Sequence, residues 1–108
     1  MLKIDFLFWN ECPSHPKAWE RLHEVLDRQN IQAEIRRIEV TTEEEAEQHR
    51  FPGSPTIRID GRDIDPGGTE HQRFGLSCRI YHDATGRGIP VPTEELIQNA
   101  LEKNKKTR

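Results

Sequence analysis

The chain has 108 residues, of which 32% are hydrophobic and 32% are charged, and its formal net charge at pH 7 is -3. A chain of this length forms one modest core, so residues 1–108 are expected to be a single domain. The weak negative charge excludes a general attraction to nucleic acid or to an anionic membrane. The apolar start is too short for a signal sequence or a membrane span, and we therefore expect a cytoplasmic protein.

The first half of the chain predicts a strand, a helix and a second strand. Residues 2–9 carry apolar side chains on both parities, which indicates a central strand covered on both faces. Apolar residues recur at helical spacing over residues 13–30 and predict the first helix. Residues 31–40 alternate and then shift phase, which predicts a second strand with a bulge or bend near Arg36.

The second half predicts a short helix, a hairpin, a long loop and a last helix. Residues 42–45 form a capping-box pattern. The stretch TIRIDGRDID at 56–65 predicts two strands joined by a type I′ turn at Asp60-Gly61. Residues 66–92 lack a regular apolar period and predict a loop. The last helix should open at residues 93–95 and turn inward Leu96, Ile97, Ala100 and Leu101.

Cys12 is the first candidate for chemistry. It follows the first strand at the expected mouth of the first helix, where unpaired amides and the helix dipole stabilise a thiolate. His15 stands three residues later, and we expect it to donate a hydrogen bond or lend a positive charge to Cys12. Pro16 biases His15 away from helical dihedrals, which would delay the helix and weaken the dipole. The alternative for His15 is a solvated residue in a polar turn.

The element order β-α-β-α-β-β-loop-α, with ECPSH at the strand-to-helix turn and GSPT opening the hairpin, resembles the thioredoxin fold. This is an α/β fold, here with an extended loop at residues 66–92 over the active-site end. The chain is more closely similar to small bacterial thioredoxin-like proteins with a Cys-Pro-x-His turn and a later GLSCRIY-type stretch. Some members of that family are named alkylmercury-lyase-like. The resemblance covers most of the chain.

The resemblance implies a substrate-binding turn beside Cys12. The peptide bond between Ser54 and Pro55 is expected to be cis, as at the equivalent position of thioredoxin-like proteins, and to present the backbone of Ser54 to an extended thiol substrate. Ser54, Pro55 and Thr56 are therefore the expected substrate-binding residues. The alternative is an ordinary trans proline at the start of a strand.

The second thiol of a redox pair is expected to come from the long loop. His15 occupies the position that a second cysteine takes in the Cys-x-x-Cys motif of related redox proteins. Both ends of the 66–92 loop should lie at the active-site rim, so that Cys78 can fold inward. We predict Cys12 as the nucleophile and Cys78 as the resolving thiol of a thiol-disulfide exchange. The alternative is that Cys78 packs as an apolar anchor of the loop.

Two other functions compete with redox chemistry. Cys12, His15, Cys78 and His82 form a ligand set that suits zinc, and the thiolate pair alone suits Cu(I) or Hg(II). A protein-recognition module without chemistry is the other alternative.

The expected role of Arg79 is either that of a solvated surface residue or that of a cation that neutralises an anion near the site. Phosphate-loop and dinucleotide motifs are absent, so we expect no cofactor, and the expected partner is a thiol or disulfide substrate, either protein or small molecule.

Overall fold

A computed structural model describes residues 2–66 and 74–106, which form a mixed α/β fold. The elements are β1 (Leu2–Phe8), α1 (His15–Arg28), β2 (Ala33–Glu39), α2 (Glu43–Gln48), β3 (Thr56–Ile59), β4 (Arg62–Asp63), β5 (Tyr81–His82), β6 (Gly88–Ile89) and α3 (Glu94–Lys106). The three predicted helices and the four predicted strands, β1 to β4, are all present. Within the described ranges, no helix has both the length and the apolar character needed to cross a membrane.

The main sheet has the strand order β2-β1-β3-β4, with β1 parallel to β2 and antiparallel to β3. β1 is central and is covered on both faces, as its two-sided apolar pattern predicts. Its even-numbered residues pack with α1 and α3 in the larger core cluster. On the other face, Leu7 packs with Val40, Ala46 and Phe51 in a smaller cluster beside α2.

The bulge predicted near Arg36 is wrong. β2 pairs with β1 one residue for one residue along its whole length, without a slip in register. The apolar phase shifts because the strand contributes to both faces: Ile35 packs against the larger cluster and Ile38 against the smaller one. Arg37 takes the place of an apolar residue on the first face, and its guanidinium lies 4.6 Å from the centre of the Phe8 ring.

The β3–β4 hairpin has the predicted turn. Asp60 has φ 50° and Gly61 has φ 84°, and a type I′ turn requires left-handed backbone at both positions. β3 runs antiparallel to β1 and pairs its first residue, Thr56, with Leu7 near the end of β1. The residues that precede β3 therefore lie at the same sheet edge as the β1–α1 connection that carries Cys12.

The predicted loop at residues 66–92 is wrong in part. Its residues 67–73 lie outside the described residues, but residues 74–92 contain the two-stranded ribbon β5–β6 and a single parallel bridge between Cys78 and Ser54. The ribbon turn is held by the Asp83 carboxylate, which accepts hydrogen bonds from the backbone of Thr85 and Arg87. Strands of two residues are too short to produce a recognisable apolar period.

Candidate functional site: two thiols beside a cis-proline turn

Cys12 lies buried in the turn that leaves β1. Its side chain is 1% exposed, its backbone N–H donates to the carbonyl of Trp9 at 2.9 Å, and its thiol donates to the carbonyl of Ser54 at 3.4 Å. α1 begins at His15 with Ser14 as its N-cap, so Cys12 lies two residues before the cap and not in the first turn of the helix. The hydrogen-bonded turn from Trp9 to Cys12 separates the end of β1 from the helix. The dipole of α1 therefore contributes less to this thiol than the sequence suggested.

His15 is buried, and its surroundings disfavour the positive charge predicted for it. Its ring lies 4.7 Å from the Phe8 ring, centre to centre, and its side chain is not solvated. Burial lowers the pKa of His15, and the positive charge of Arg37 lowers it further, so the imidazole is neutral at pH 7. Among the described residues, Nδ1 of His15 has no hydrogen-bond partner. A neutral ring cannot stabilise a Cys12 thiolate by charge.

The peptide bond between Ser54 and Pro55 is cis, as expected. Ser54 is fully buried beside the β1–α1 turn, and its Oγ accepts a hydrogen bond from the backbone N–H of Trp9 at 3.0 Å. The carbonyl of Ser54 is the acceptor for the thiol of Cys12. The cis-proline turn and the cysteine turn are thus joined through both the side chain and the backbone of Ser54.

The backbone of Ser54 is already paired within the chain. We call residues 75–82 the strap. The N–H of Ser54 donates to the carbonyl of Ser77 at 2.8 Å, and the N–H of Arg79 donates to the carbonyl of Ser54 at 2.9 Å. These two bonds make the parallel bridge between Ser54 and Cys78. The strap therefore occupies the backbone groups that were expected to receive an extended substrate.

The strap brings Cys78 next to Cys12. Both cysteines are free thiols, and Cys12 is buried whereas Cys78 is exposed. The pKa of Cys78 is raised by partial burial of its thiol, and further by a hydrogen bond with Cys12 and by the charge of Cys12. Both cysteines therefore meet at Ser54, Cys12 through the hydrogen bond of its thiol to the Ser54 carbonyl and Cys78 through the backbone bridge.

Arg79 anchors the strap through its buried side chain. It is neither the solvated surface residue nor the free cation near the site that the sequence suggested. Its side chain is 1% exposed, and its guanidinium donates to both carboxylate oxygens of Asp63 at 2.8 Å. It also donates to Oγ1 of Thr56 at 3.2 Å and to the carbonyl of Asp65 at 3.0 Å, and it lies 4.5 Å from the centre of the Tyr81 ring. These partners leave Arg79 committed to the fold and not to a substrate anion.

Two further contacts fix the distance between the strap and the cis-proline turn. The hydroxyl of Tyr81 donates to the carbonyl of Pro55 at 2.6 Å. Gly53 has φ 141°, and a Cβ placed on it would lie 3.0 Å from Cβ of Arg79 and 3.1 Å from the Arg79 backbone. Only glycine permits this approach.

The start of the strap is held at a second place. The N–H of Gly75 donates to the carbonyl of Phe51 at 3.1 Å, and the N–H of Leu76 donates to Oε1 of Glu43 at 3.2 Å.

The four-residue metal site predicted as an alternative is not formed. Within residues 2–66 and 74–106, no three or more His, Cys, Asp or Glu side chains come together as a metal-binding group. His15 is turned onto the Phe8 ring. His82 follows the buried Tyr81 in β5, and strand alternation directs it to the exposed side of the ribbon. Of the four proposed ligands, Cys12 and Cys78 are the two that meet at Ser54.

Comparison with known proteins adds no assignment to this geometry. No protein-family model matches the chain, and neither a curated protein nor a solved structure matches it. The function is therefore inferred from the two thiols and the groups that hold them.

Proposed function

We propose that this chain is a thioredoxin-like thiol-disulfide oxidoreductase, or performs a closely related thiol redox step, with Cys12 and Cys78 as its thiol pair. The observation that carries the proposal is the bridge between Ser54 and Cys78, which holds the exposed Cys78 at the residue whose carbonyl accepts the buried thiol of Cys12. A cysteine after the first strand and a cis-proline before the third are also the arrangement of the thioredoxin fold.

The pair can exchange two electrons with a disulfide. One thiolate of the protein attacks a sulfur of the substrate disulfide R–S–S–R, which forms a mixed disulfide and releases one R–S⁻. The other thiolate then attacks the protein sulfur of the mixed disulfide, closes the bond between Cys12 and Cys78, and releases the second R–S⁻. The protein loses two electrons and two protons, and the substrate becomes two thiols.

In this proposal the residues at the cis-proline turn position the thiols. The carbonyl of Ser54 accepts a hydrogen bond from the Cys12 thiol, and the carbonyl of Pro55 accepts one from the Tyr81 hydroxyl. Oγ1 of Thr56 accepts a hydrogen bond from the Arg79 guanidinium. Through these bonds the turn fixes both Cys12 and the strap that carries Cys78. The role of His15 is then to close the cysteine turn by its contact with Phe8.

The stoichiometry of thiol release tests the proposal. Reduced protein is mixed with excess of an aromatic disulfide whose thiolate is coloured, and the protein mass is then measured. The wild type should release two thiolates per chain and retain no adduct, because the second cysteine displaces the first product. A variant with a single accessible cysteine, Cys12→Ser, should release one thiolate and retain one adduct. A wild type that carries two adducts would show that the cysteines react independently and would refute the redox pair.

Binding of a soft metal ion is the second candidate. Two neighbouring thiols without further ligands suit Cu(I) or Hg(II), which accept thiolate ligands readily, better than zinc in its usual four-coordinate sites. Metal analysis of protein purified without oxygen separates the candidates. A stoichiometric ion that is lost in both cysteine variants would favour metal handling over redox exchange. If the protein contains no metal and also fails the thiol-release test, the remaining alternative is a protein-recognition module without chemistry.

A further inference from the structure

The two thiols differ in their access to solvent, and this difference decides which one meets a substrate. Cys12 is 1% exposed beneath the Ser54 carbonyl and the strap, whereas Cys78 is exposed on the strap. Exchange requires the attacking sulfur to reach a substrate sulfur directly, so a buried thiol cannot begin it. In the described arrangement only Cys78 meets this requirement.

The raised pKa of Cys78 lowers the reactivity of this thiol, whereas its exposure raises the reactivity. A raised pKa lowers the thiolate fraction at neutral pH, by about tenfold for each pKa unit. The more basic thiolate is also the stronger nucleophile, which restores about threefold for each unit at a Brønsted coefficient near 0.5. The net loss is about threefold per unit. The loss in thiolate is thus partly offset by the stronger nucleophile, whereas nothing offsets the exclusion of a substrate from a buried sulfur.

We propose that Cys78 forms the bond to the substrate and that Cys12 is the resolving thiol. This inference rests on the proposed function and exchanges the roles that the sequence assigned to the two cysteines. The Cys78 thiolate attacks R–S–S–R, which gives Cys78–S–S–R and R–S⁻. The Cys12 thiol then attacks the sulfur of Cys78 and gives its proton to the departing R–S⁻, which leaves as R–SH, and the Cys12–Cys78 disulfide remains.

The same arrangement restricts the class of substrate. Extended polypeptides bind by strand addition to free backbone groups, but the N–H and carbonyl of Ser54 are both paired with the strap. A polypeptide could bind there only by displacing the strap, together with the buried ion pair of Arg79 and Asp63. The substrate that fits is therefore a disulfide of low molecular weight, which needs access to the sulfur of Cys78 alone.

Partial alkylation of the reduced wild type tests the order of the thiols without any variant. The protein is treated with limiting iodoacetamide at about pH 9, where a free thiol is largely ionised, and the modified cysteine is located by peptide mass mapping. Cys78 should be modified at least about tenfold faster than Cys12, because only Cys78 is accessible. In denaturant the two rates should become similar. A Cys12 rate equal to or above that of Cys78 in the folded protein would overturn the inference.

The single-cysteine variants test the same order with a substrate. Cys12→Ser should form a mixed disulfide with glutathione disulfide at least about tenfold faster than Cys78→Ser does. The reverse ratio, or equal rates, would overturn it. If the wild type releases two thiolates but the first adduct is on Cys12, this inference fails and the proposed function stands. If the wild type retains two adducts, the proposed function itself fails.

The substrate class is tested by comparing glutathione disulfide with a long unstructured peptide that contains one disulfide. The wild type should reduce glutathione disulfide at least about tenfold faster, because the strap blocks the peptide. Gly53→Ala, which pushes the strap away from Ser54, should reduce this preference. A wild type that reduces the peptide as fast as glutathione disulfide would exclude the restriction to small substrates.

Discussion

The β3–β4 hairpin and the strap both meet the cis-proline turn, but different forces hold them there. The hairpin continues directly from Pro55 and closes through the local turn at Asp60 and Gly61. The strap arrives from a distant part of the chain, and it is held by backbone bonds to Ser54 and by the buried Arg79. The hairpin therefore supports the fold, while the strap determines where the second thiol lies. Changes in the strap should separate thiol pairing from folding.

Two ion pairs show a second contrast, one that joins the strap to the hairpin and one that joins β2 to β1. In the pair Arg79–Asp63 the side chains are 1% and 10% exposed, whereas in the pair Arg36–Asp5, between β2 and β1, they are 68% and 23% exposed. Both are doubly hydrogen-bonded. A buried charge that loses its partner cannot be rehydrated, and an exposed one can. Similar geometry should therefore give very different energies.

The largest effect should follow removal of the charge from Asp63. Asp63→Asn leaves the Arg79 guanidinium buried without a counter-ion, which should lower the free energy of unfolding by about 3 kcal/mol. Because Arg79 anchors the strap, formation of the Cys12–Cys78 disulfide should also slow. Urea unfolding and the rate of disulfide formation measure the two consequences.

Asp5→Asn is the matched control for this substitution. It removes the partner of the exposed Arg36, so the free energy of unfolding and the rate of disulfide formation should both stay close to those of the wild type. Equal losses of stability in Asp63→Asn and Asp5→Asn would contradict the distinction between the two ion pairs.

A smaller effect is expected from closing the space at Gly53. Gly53→Ala introduces a Cβ about 3 Å from Arg79 and a residue with unfavourable positive φ, and together these should cost about 2 kcal/mol. The strap should move outward and disulfide formation should slow. Gly86→Ala has the same type of backbone cost, but no atom lies within 4 Å of the new Cβ. That control should lose about 1 kcal/mol and keep the wild-type rate of disulfide formation.

Removal of the Tyr81 hydroxyl should have a modest effect. Tyr81→Phe deletes the hydrogen bond to the Pro55 carbonyl and leaves that buried acceptor unpaired, which should cost about 1 kcal/mol. The ring still packs in the core, so the fold should be unchanged by circular dichroism. An unfolding energy equal to that of the wild type would show that the hydroxyl does not hold the strap.

The smallest expected effect is a shift in the pH at which Cys78 becomes reactive. Partial burial and Cys12 raise the pKa of Cys78, so its alkylation rate should rise with pH around a midpoint above that of a free thiol. Cys12→Ser removes the charge of Cys12 and should shift the midpoint downward toward the free-thiol value. A midpoint that stays unchanged in Cys12→Ser would show that the two thiols do not interact.

Features of the hairpin type could be predicted from the sequence because their causes lie within a few residues. The Asp60-Gly61 turn and the capping box at residues 42–45 are set by local backbone preferences, and both are present. The supposed bulge at Arg36 was wrong because a periodic pattern does not show that one strand serves two apolar clusters. The spacing of apolar residues predicts the path of a strand only where the strand packs against a single apolar cluster.

Features of the strap type could not be predicted in the same way. Arg79 pairs with Asp63, 16 residues earlier, and neither residue carries a local sign of burial. The bridge from Ser54 to Cys78 joins segments that are adjacent only after folding. The approach of Cys78 to the active-site end was anticipated from the expected topology. Its means of attachment and the burial of Cys12 depend on tertiary contacts alone.

The central claim is that Cys12 and Cys78 form one redox pair, and disulfide mapping after gentle oxidation tests it most directly. The reduced wild type is oxidised at low protein concentration, digested without reduction and analysed by mass spectrometry. We predict a single peptide pair linked through Cys12 and Cys78 in a monomeric chain, formed at a rate independent of protein concentration, because both cysteines are held at Ser54 of the same chain. Oxidation that yields only dimers, or leaves both thiols free, would contradict the account.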